Sequence, residues 1–328
     1  MPSVKFECVN WNQTEDYVTH FWRQNVAQMW TETEFPVAKD IASWNAMTSD
    51  EQTAFKRVLA GLTGLDTHQA DDGMPLIALH TQDLRKKAVL SFMSMMEQMH
   101  AKSYSHIFTT LLPSEESRYL LEEWAPNNLH LRFKGDIIVS RYRKLLTPNP
   151  SRYDVYMAHV MSVFLESFLF YSGFYYPLYL AGTSRMTTSG EIIRKILLDE
   201  SIHGVYVGYL AQEIRDELTD DERQRADAEM YELLEQLYAN EAEYTQEIYG
   251  AIGLVEDVDN YVRYNGNKAL MALGFEPYFE HEPFSSIVLN ALDTSTKTHD
   301  FFSVKGDGYT IPLNIEELRD EDFVFDDV

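Results

Sequence analysis

This sequence is poor in cysteine, in basic charge and in glycine-rich phosphate loops, and each shortage narrows what it can do. Cys8 is the only cysteine among 328 residues. No disulfide can form within the chain, and a reducing, cytoplasmic setting is expected. Lys and Arg number 27 against 52 Asp and Glu, for a formal net charge of -25. Phosphate backbones and anionic lipid surfaces attract clustered cations, so neither nucleic acid nor a membrane is an expected partner. The acidic surplus suits a solvated surface or the steering of a protein partner. Neither Gly-x-Gly-x-x-Gly nor a P-loop pattern occurs, which argues against the usual nucleotide cradles. Alternating strand patterns are missing too, and the opening Met1-Pro2-Ser3-Val4-Lys5 carries no apolar signal-peptide core.

One long apolar run is present, from Val160 to Gly182. It is about long enough to cross a bilayer, but Glu166 lies within it, and an isolated charge at that depth is costly. Such a helix fits the buried centre of a bundle better. A buried Glu166 then requires a partner, which a metal ion would supply.

Helical signals fill most of the chain. Thr48-Ser49-Asp50-Glu51 forms a capping box ahead of a helix carrying Phe55, Val58, Leu59, Leu62, Leu65 and Asp66. Gly61 and Gly64 in that helix predict close packing against a neighbour. Asp71-Asp72-Gly73-Met74-Pro75 reads as a turn. A second helix is predicted from Leu84 to Leu112, ended by Pro113, and another begins at Ser114. Residues 125–153 carry no assignable chemistry. Further helices are predicted over Val160 to Leu180, Gly190 to about Leu218, Thr219 to Tyr249 and about Asp257 to Leu273, with a loop over Ala181 to Ser189. Residues 1–47 read as an arm holding Trp11, Trp22, Trp30 and Trp44. From about Leu292 the helical period fades. The expected organisation is therefore a helical domain over 1–290 and a flexible tail over 291–328 with an acidic-aromatic tip.

Two segments carry the chemistry: Glu97-Gln98-Met99-His100 and Glu200-Ser201-Ile202-His203. A spacing of three places Glu and His on one helix face, about 5–6 Å apart at Cβ, where both can hold one metal ion. Taken singly, either segment would more often be an ordinary surface pair. The context changes that balance, because Asp66 precedes Glu97 by 31 residues and Glu166 precedes Glu200 by 34. Each half is thus a carboxylate helix followed by a Glu-x-x-His helix. Four such helices bring four carboxylates and two imidazoles together, the donor set of ferritin-like di-iron and di-manganese bundles. Oxygen and imidazole donors suit Fe or Mn, and the lack of thiolate ligands argues against an iron-sulfur cluster. The fold class expected is all-α. His20, His68, His80, His106, His130, His159, His281 and His299 lack this context and read as non-ligands, and the methionines around Met95, Met96 and Met99 read as core packing.

The ligands alone do not choose among radical generation, hydrocarbon oxidation by a ligand-binding di-metal oxidase, and iron binding or storage without catalysis. Tyr104 narrows the choice. It follows His100 by four residues, one turn along the same face, and Phe170 and Phe174 could wall it off from water.

The chain resembles the small, radical-generating beta subunit of class Ib ribonucleotide reductases. The resemblance runs from Trp11 to the C-terminus. It is most specific in Leu62-Thr63-Gly64-Leu65-Asp66-Thr67, Met96 to Tyr104, Phe164 to Phe170 and Leu198 to Gly204. It implies a ribonucleoside-diphosphate reductase in which two Mn or two Fe ions per chain generate a tyrosyl radical, with Mn favoured. Asp66, Glu97 and His100 would hold one ion, Glu166, Glu200 and His203 the other, and Tyr104 would carry the radical. Trp30, Asp199 and Tyr309 would relay it to a large subunit that makes deoxyribonucleotides for DNA replication. The resemblance further implies a homodimer, docking of the large subunit through the tail tip from Phe323 to Val328, and a flavodoxin-like activating protein.

Overall fold

A computed structural model describes residues 6–12 and 16–288 of the chain. The expected boundary at 290/291 and the tail beyond it, with His299, Tyr309 and the Phe323–Val328 tip, lie outside the described residues. Those described are mainly helical, with no strand among them.

Short polar signals open the helices. The first, α1 (Tyr17–Gln28), is capped by Asp16, and a brief α2 (Ile41–Asn45) follows. At α3 (Ser49–His68) the expected capping box is present: the Glu51 N–H donates to Thr48, and the Thr48 N–H donates to Glu51. The predicted turn at Asp71–Pro75 is not one. Instead α3 runs through a wider π-type segment, Gln69–Gly73, into α4 (Met74–Leu79). Pro75, which has no N–H to donate back into the helix, comes just after this wider segment.

Helix α5 (Leu84–Leu111) starts at an Asp83 cap and stops before Pro113. Ser114 opens α6 (Ser114–Arg118), which continues through a second π-type segment, Tyr119–Trp124, into α7 (Ala125–Asn127). Asn128 then caps α8 (Leu129–Arg143). The stretch without assignable chemistry is therefore largely helical, and its Lys134, Ile138 and Tyr142 are buried on one face.

The apolar run begins earlier than expected and is not one regular helix. Ser151 caps α9 (Arg152–Phe164), and a third π-type segment, Leu165–Leu169, joins it to α10 (Tyr171–Gly182), which runs through Pro177. The whole of Arg152–Gly182 passes the length and hydropathy test for a membrane span, yet its apolar window is entirely buried within the protein. It is the core helix of the bundle. Helices α11 (Thr187–Asp216), α12 (Asp220–Tyr249) and α13 (Val255–Ala272) complete the fold.

Helix α3 packs on α5, and α11 packs on α9 and α10. Four helical runs thus surround one interior. Each fully buried Leu, Ile or Phe contributes about 1.5–3 kcal/mol, and the dense apolar core they form is what makes several buried carboxylates affordable. Of the two glycines expected to pack closely in α3, only Gly61 does: a Cβ there would meet the Tyr244 hydroxyl at 2.7 Å, whereas Gly64 is exposed with open space beside it.

One anchor of α11 went unread in the sequence. Its first residue follows Met186, which has a left-handed backbone (φ 48°). Buried Asp40 accepts from the Thr188 N–H at 3.1 Å, the Ser189 N–H at 2.7 Å and the Ser189 hydroxyl at 2.7 Å. A carboxylate 147 residues upstream of Thr187 supplies the cap that no local residue provides.

Candidate metal centre

The six residues singled out in the sequence converge. Asp66 comes from the end of α3, Glu97 and His100 from the middle of α5, Glu166 from the π-type segment between α9 and α10, and Glu200 and His203 from α11. All six are 0% exposed. Their donor atoms form two overlapping groups, Asp66, Glu97, His100 and Glu200, and Glu97, Glu166, Glu200 and His203, each with its atoms within 4.8 Å of one another. Glu97 and Glu200 belong to both groups. The imidazoles show the same crossing. His100 Nδ1 is 2.8 Å from Glu200 and 3.2 Å from Asp66, and His203 Nδ1 is 2.6 Å from Glu97.

Most of these atoms have no ordinary hydrogen-bond donor or acceptor. Both oxygens of Asp66, Glu97 and Glu200, one oxygen of Glu166 and Nδ1 of each histidine are buried orphans. An orphaned buried carboxylate costs several kcal/mol, so nine such atoms gathered in one cluster fit a cationic guest. Burial, reinforced by Glu97 and Glu200, pushes Asp66 and Glu166 well above the usual carboxylate range. Glu200 goes the other way. Burial opposes its charge, but contacts with Glu166, His100 and His203 hold it well below the ordinary value. The imidazoles are pushed well above theirs against the burial cost, His100 chiefly by Asp199 and His203 chiefly by Glu166. Protons and metal ions compete for such a donor set.

Around the cluster, His100 Nε2 lies 3.1 Å from Asp199 Oδ2, and the Trp30 indole N–H donates to the same oxygen at 2.7 Å. Asp199 thereby fixes which imidazole nitrogen faces the cluster. Tyr104 is 0% exposed, and its hydroxyl has no hydrogen-bond partner. Burial, then the charges of Asp66, Glu200 and Glu97, drive its pKa well above that of a free phenol. Phe170 and Phe174 are buried and stacked at 5.8 Å.

The other described histidines are engaged elsewhere. His80 and His106 meet the backbone carbonyls of Leu145 and Phe35, His68 meets Asp72, and His130 meets Asn240.

Comparison with known proteins agrees with this geometry. Residues 8–286 match the family described as ribonucleotide reductase, small chain. The chain belongs to that family. The Bacillus subtilis (strain 168) ribonucleoside-diphosphate reductase subunit beta is 48% identical over 98% of this chain and 97% of its own length. The Escherichia coli (strain K12) ribonucleoside-diphosphate reductase 2 subunit beta is 36% identical over 99% of this chain and 100% of its own. Among solved structures, Streptococcus sanguinis dimanganese(II)-NrdF superposes with a TM-score of 0.82 at 37% identity, covering 88% of this chain and all of that one.

Sequence reasoning missed Gln69. Its side-chain amide donates to Glu166 Oε1 and, at 2.8 Å, to Ser162, while the Tyr142 hydroxyl donates to its carbonyl at 2.6 Å. A signal existed: Gln69 follows Asp66 by three residues and so shares its helix face.

Proposed function

We propose that this chain is the radical-generating small subunit of a ribonucleoside-diphosphate reductase. In this reading Asp66, Glu97, His100, Glu166, Glu200 and His203 hold two metal ions, and Tyr104 stores the radical. Membership of the ribonucleotide reductase small-chain family supports the activity. The observation that carries the residue assignment is Tyr104 itself, a fully buried phenol without a hydrogen-bond partner, one helical turn from His100. When bound, the metals would supply one-electron oxidising power.

The protein's own residues do the rest. Burial excludes water and reductants from Tyr104, and its hydroxyl lies under the influence of Asp66, Glu200 and Glu97. Asp199 orients His100, and Trp30 extends that hydrogen-bonded line to the region after α1. Tyr309 would continue the relay to the large subunit. Mn is favoured over Fe because the similar Streptococcus sanguinis protein is a dimanganese(II) form. A homodimer, a large catalytic subunit bound through the Phe323–Val328 tip, a flavodoxin-like activator and a cytoplasmic setting complete the reading on the strength of the family resemblance.

The test is electron paramagnetic resonance on purified chain loaded with Fe(II) and exposed to dioxygen. A sharp tyrosyl signal is expected in the wild type and none in Tyr104→Phe. The same signal persisting in the variant would overturn the assignment of Tyr104.

A further inference from the structure

Among the four clustered carboxylates, Glu166 alone is held by a side-chain amide. Among the described residues, no side-chain amide hydrogen-bonds to either oxygen of Asp66, Glu97 or Glu200. Glu166 has one oxygen bound to the Gln69 amide, and its other oxygen, Oε2, is unpartnered and lies 3.6 Å from His203 Nδ1. Glu166 also sits on the irregular Leu165–Leu169 segment rather than on a regular turn.

The Gln69 amide is itself set by what surrounds it. The side chain is 0% exposed. The Tyr142 O–H donates to Gln69 Oε1 at 2.6 Å, and Ser162 accepts from Gln69 Nε2 at 2.8 Å. Rotating the amide by half a turn would aim its carbonyl oxygen at the Glu166 carboxylate, so electrostatics hold the NH2 group toward Glu166. Gly73 makes the room. A Cβ at that position would collide with Gln69 Oε1 and would come within 2.9 Å of the Tyr142 ring. Residues from α8, α9 and the π-type segments Gln69–Gly73 and Leu165–Leu169 thus meet around one amide.

We propose that Gln69 is a positioning residue that fixes which oxygen of Glu166 is offered to the metal centre. Gln69 holds Oε1 back and leaves Oε2 facing the cluster, and Tyr142 and Ser162 lock the amide in the orientation this requires. The inference rests on the metal-ligand reading of Glu166. It adds a determinant of how the second ion is bound.

The experiment titrates purified chain with Mn(II), reading free Mn(II) by electron paramagnetic resonance, and records the visible spectrum of the Co(II) form, which reports coordination number. Wild type is expected to take up two ions per chain. Gln69→Met keeps the length of the side chain and removes both donors. It is expected to bind one ion as wild type does, to bind the other about 10- to 100-fold more weakly, and to change the Co(II) spectrum. Tyr142→Phe, which leaves Gln69 in place but unlocks it, is expected to shift the same site in the same direction by less, and it carries the test should Gln69→Met fail to fold. Two ions bound with wild-type affinity and an unchanged Co(II) spectrum, in whichever variant folds, overturn the positioning role while leaving the metal reading intact. A wild-type chain that takes up no Mn(II) overturns both.

Discussion

The Trp30 indole and the His100 imidazole lie nearly parallel, 6.0 Å between centroids and 15° between planes, and both reach the same oxygen of Asp199. A residue beyond the end of α1 is thereby connected to the centre of α5 through one carboxylate of α11. Trp30→Phe keeps the aromatic body and removes the N–H. Tyr104 should still give its tyrosyl signal in this variant, while turnover with the large subunit falls by about 10- to 100-fold or more, the worth of one charge-assisted hydrogen bond. Unchanged turnover would remove Trp30 from the relay.

Two buried tyrosines predict opposite stability effects. The Tyr104 hydroxyl has no partner, whereas the Tyr142 hydroxyl donates to Gln69. Deleting an unsatisfied buried hydroxyl is neutral or stabilising, and deleting a satisfied one costs about 1 kcal/mol and orphans its acceptor. Thermal melts of the metal-free chains should leave Tyr104→Phe at or above wild type and place Tyr142→Phe below it. The reverse order would contradict the hydrogen-bond pattern described.

His159 provides a pH test remote from the metal residues. It is buried in α9, its Nδ1–H donates to the Val155 carbonyl at 2.7 Å, and Nε2 has no partner. Burial, aided by Arg152, lowers its pKa from 6.5 to about 4. Between those values the unfolded chain holds more protons than the folded one, so stability is full above pH 6.5 and declines as pH falls toward 4. From pH 7.5 to pH 5 the loss attributable to this group is about 2 kcal/mol. Urea unfolding at the two pH values should show a smaller acid loss in His159→Gln than in wild type. Equal losses would show that His159 is not the group responsible.

Asp40 should matter to stability although it is far from the cluster. Asp40→Ala strips the carboxylate cap from the start of α11, which carries Glu200 and His203. A loss of about 1–3 kcal/mol is expected, measurable as a lowered urea midpoint. A midpoint equal to wild type would mean that water replaces the carboxylate without cost.

The sequence on its own determined the helical class and the six donor residues, because the 3.6-residue period, the capping residues and the Glu-x-x-His spacing are local properties of a chain. Helix starts at Ser49, Leu84, Ser114 and Asp220 follow directly from the residues that cap or precede them. Tyr104 was legible for the same reason, as a neighbour one turn from His100. Tertiary structure decided the rest. That Glu97 and Glu200 are shared between two donor groups depends on how α5 meets α11, which no spacing encodes. Asp40 caps a helix almost 150 residues away, and three π-type segments interrupt helices whose periodicity reads as continuous. Lys134 disguised the buried face of α8, since a charge every sequence rule places in water is there paired with Glu241 inside the core. Hydrogen bonds between distant side chains form only once packing has brought them together and removed competing water. For that reason the donor atoms were readable from the chain, while Gln69, Ser162 and Tyr142, which hold one of them in place, were not.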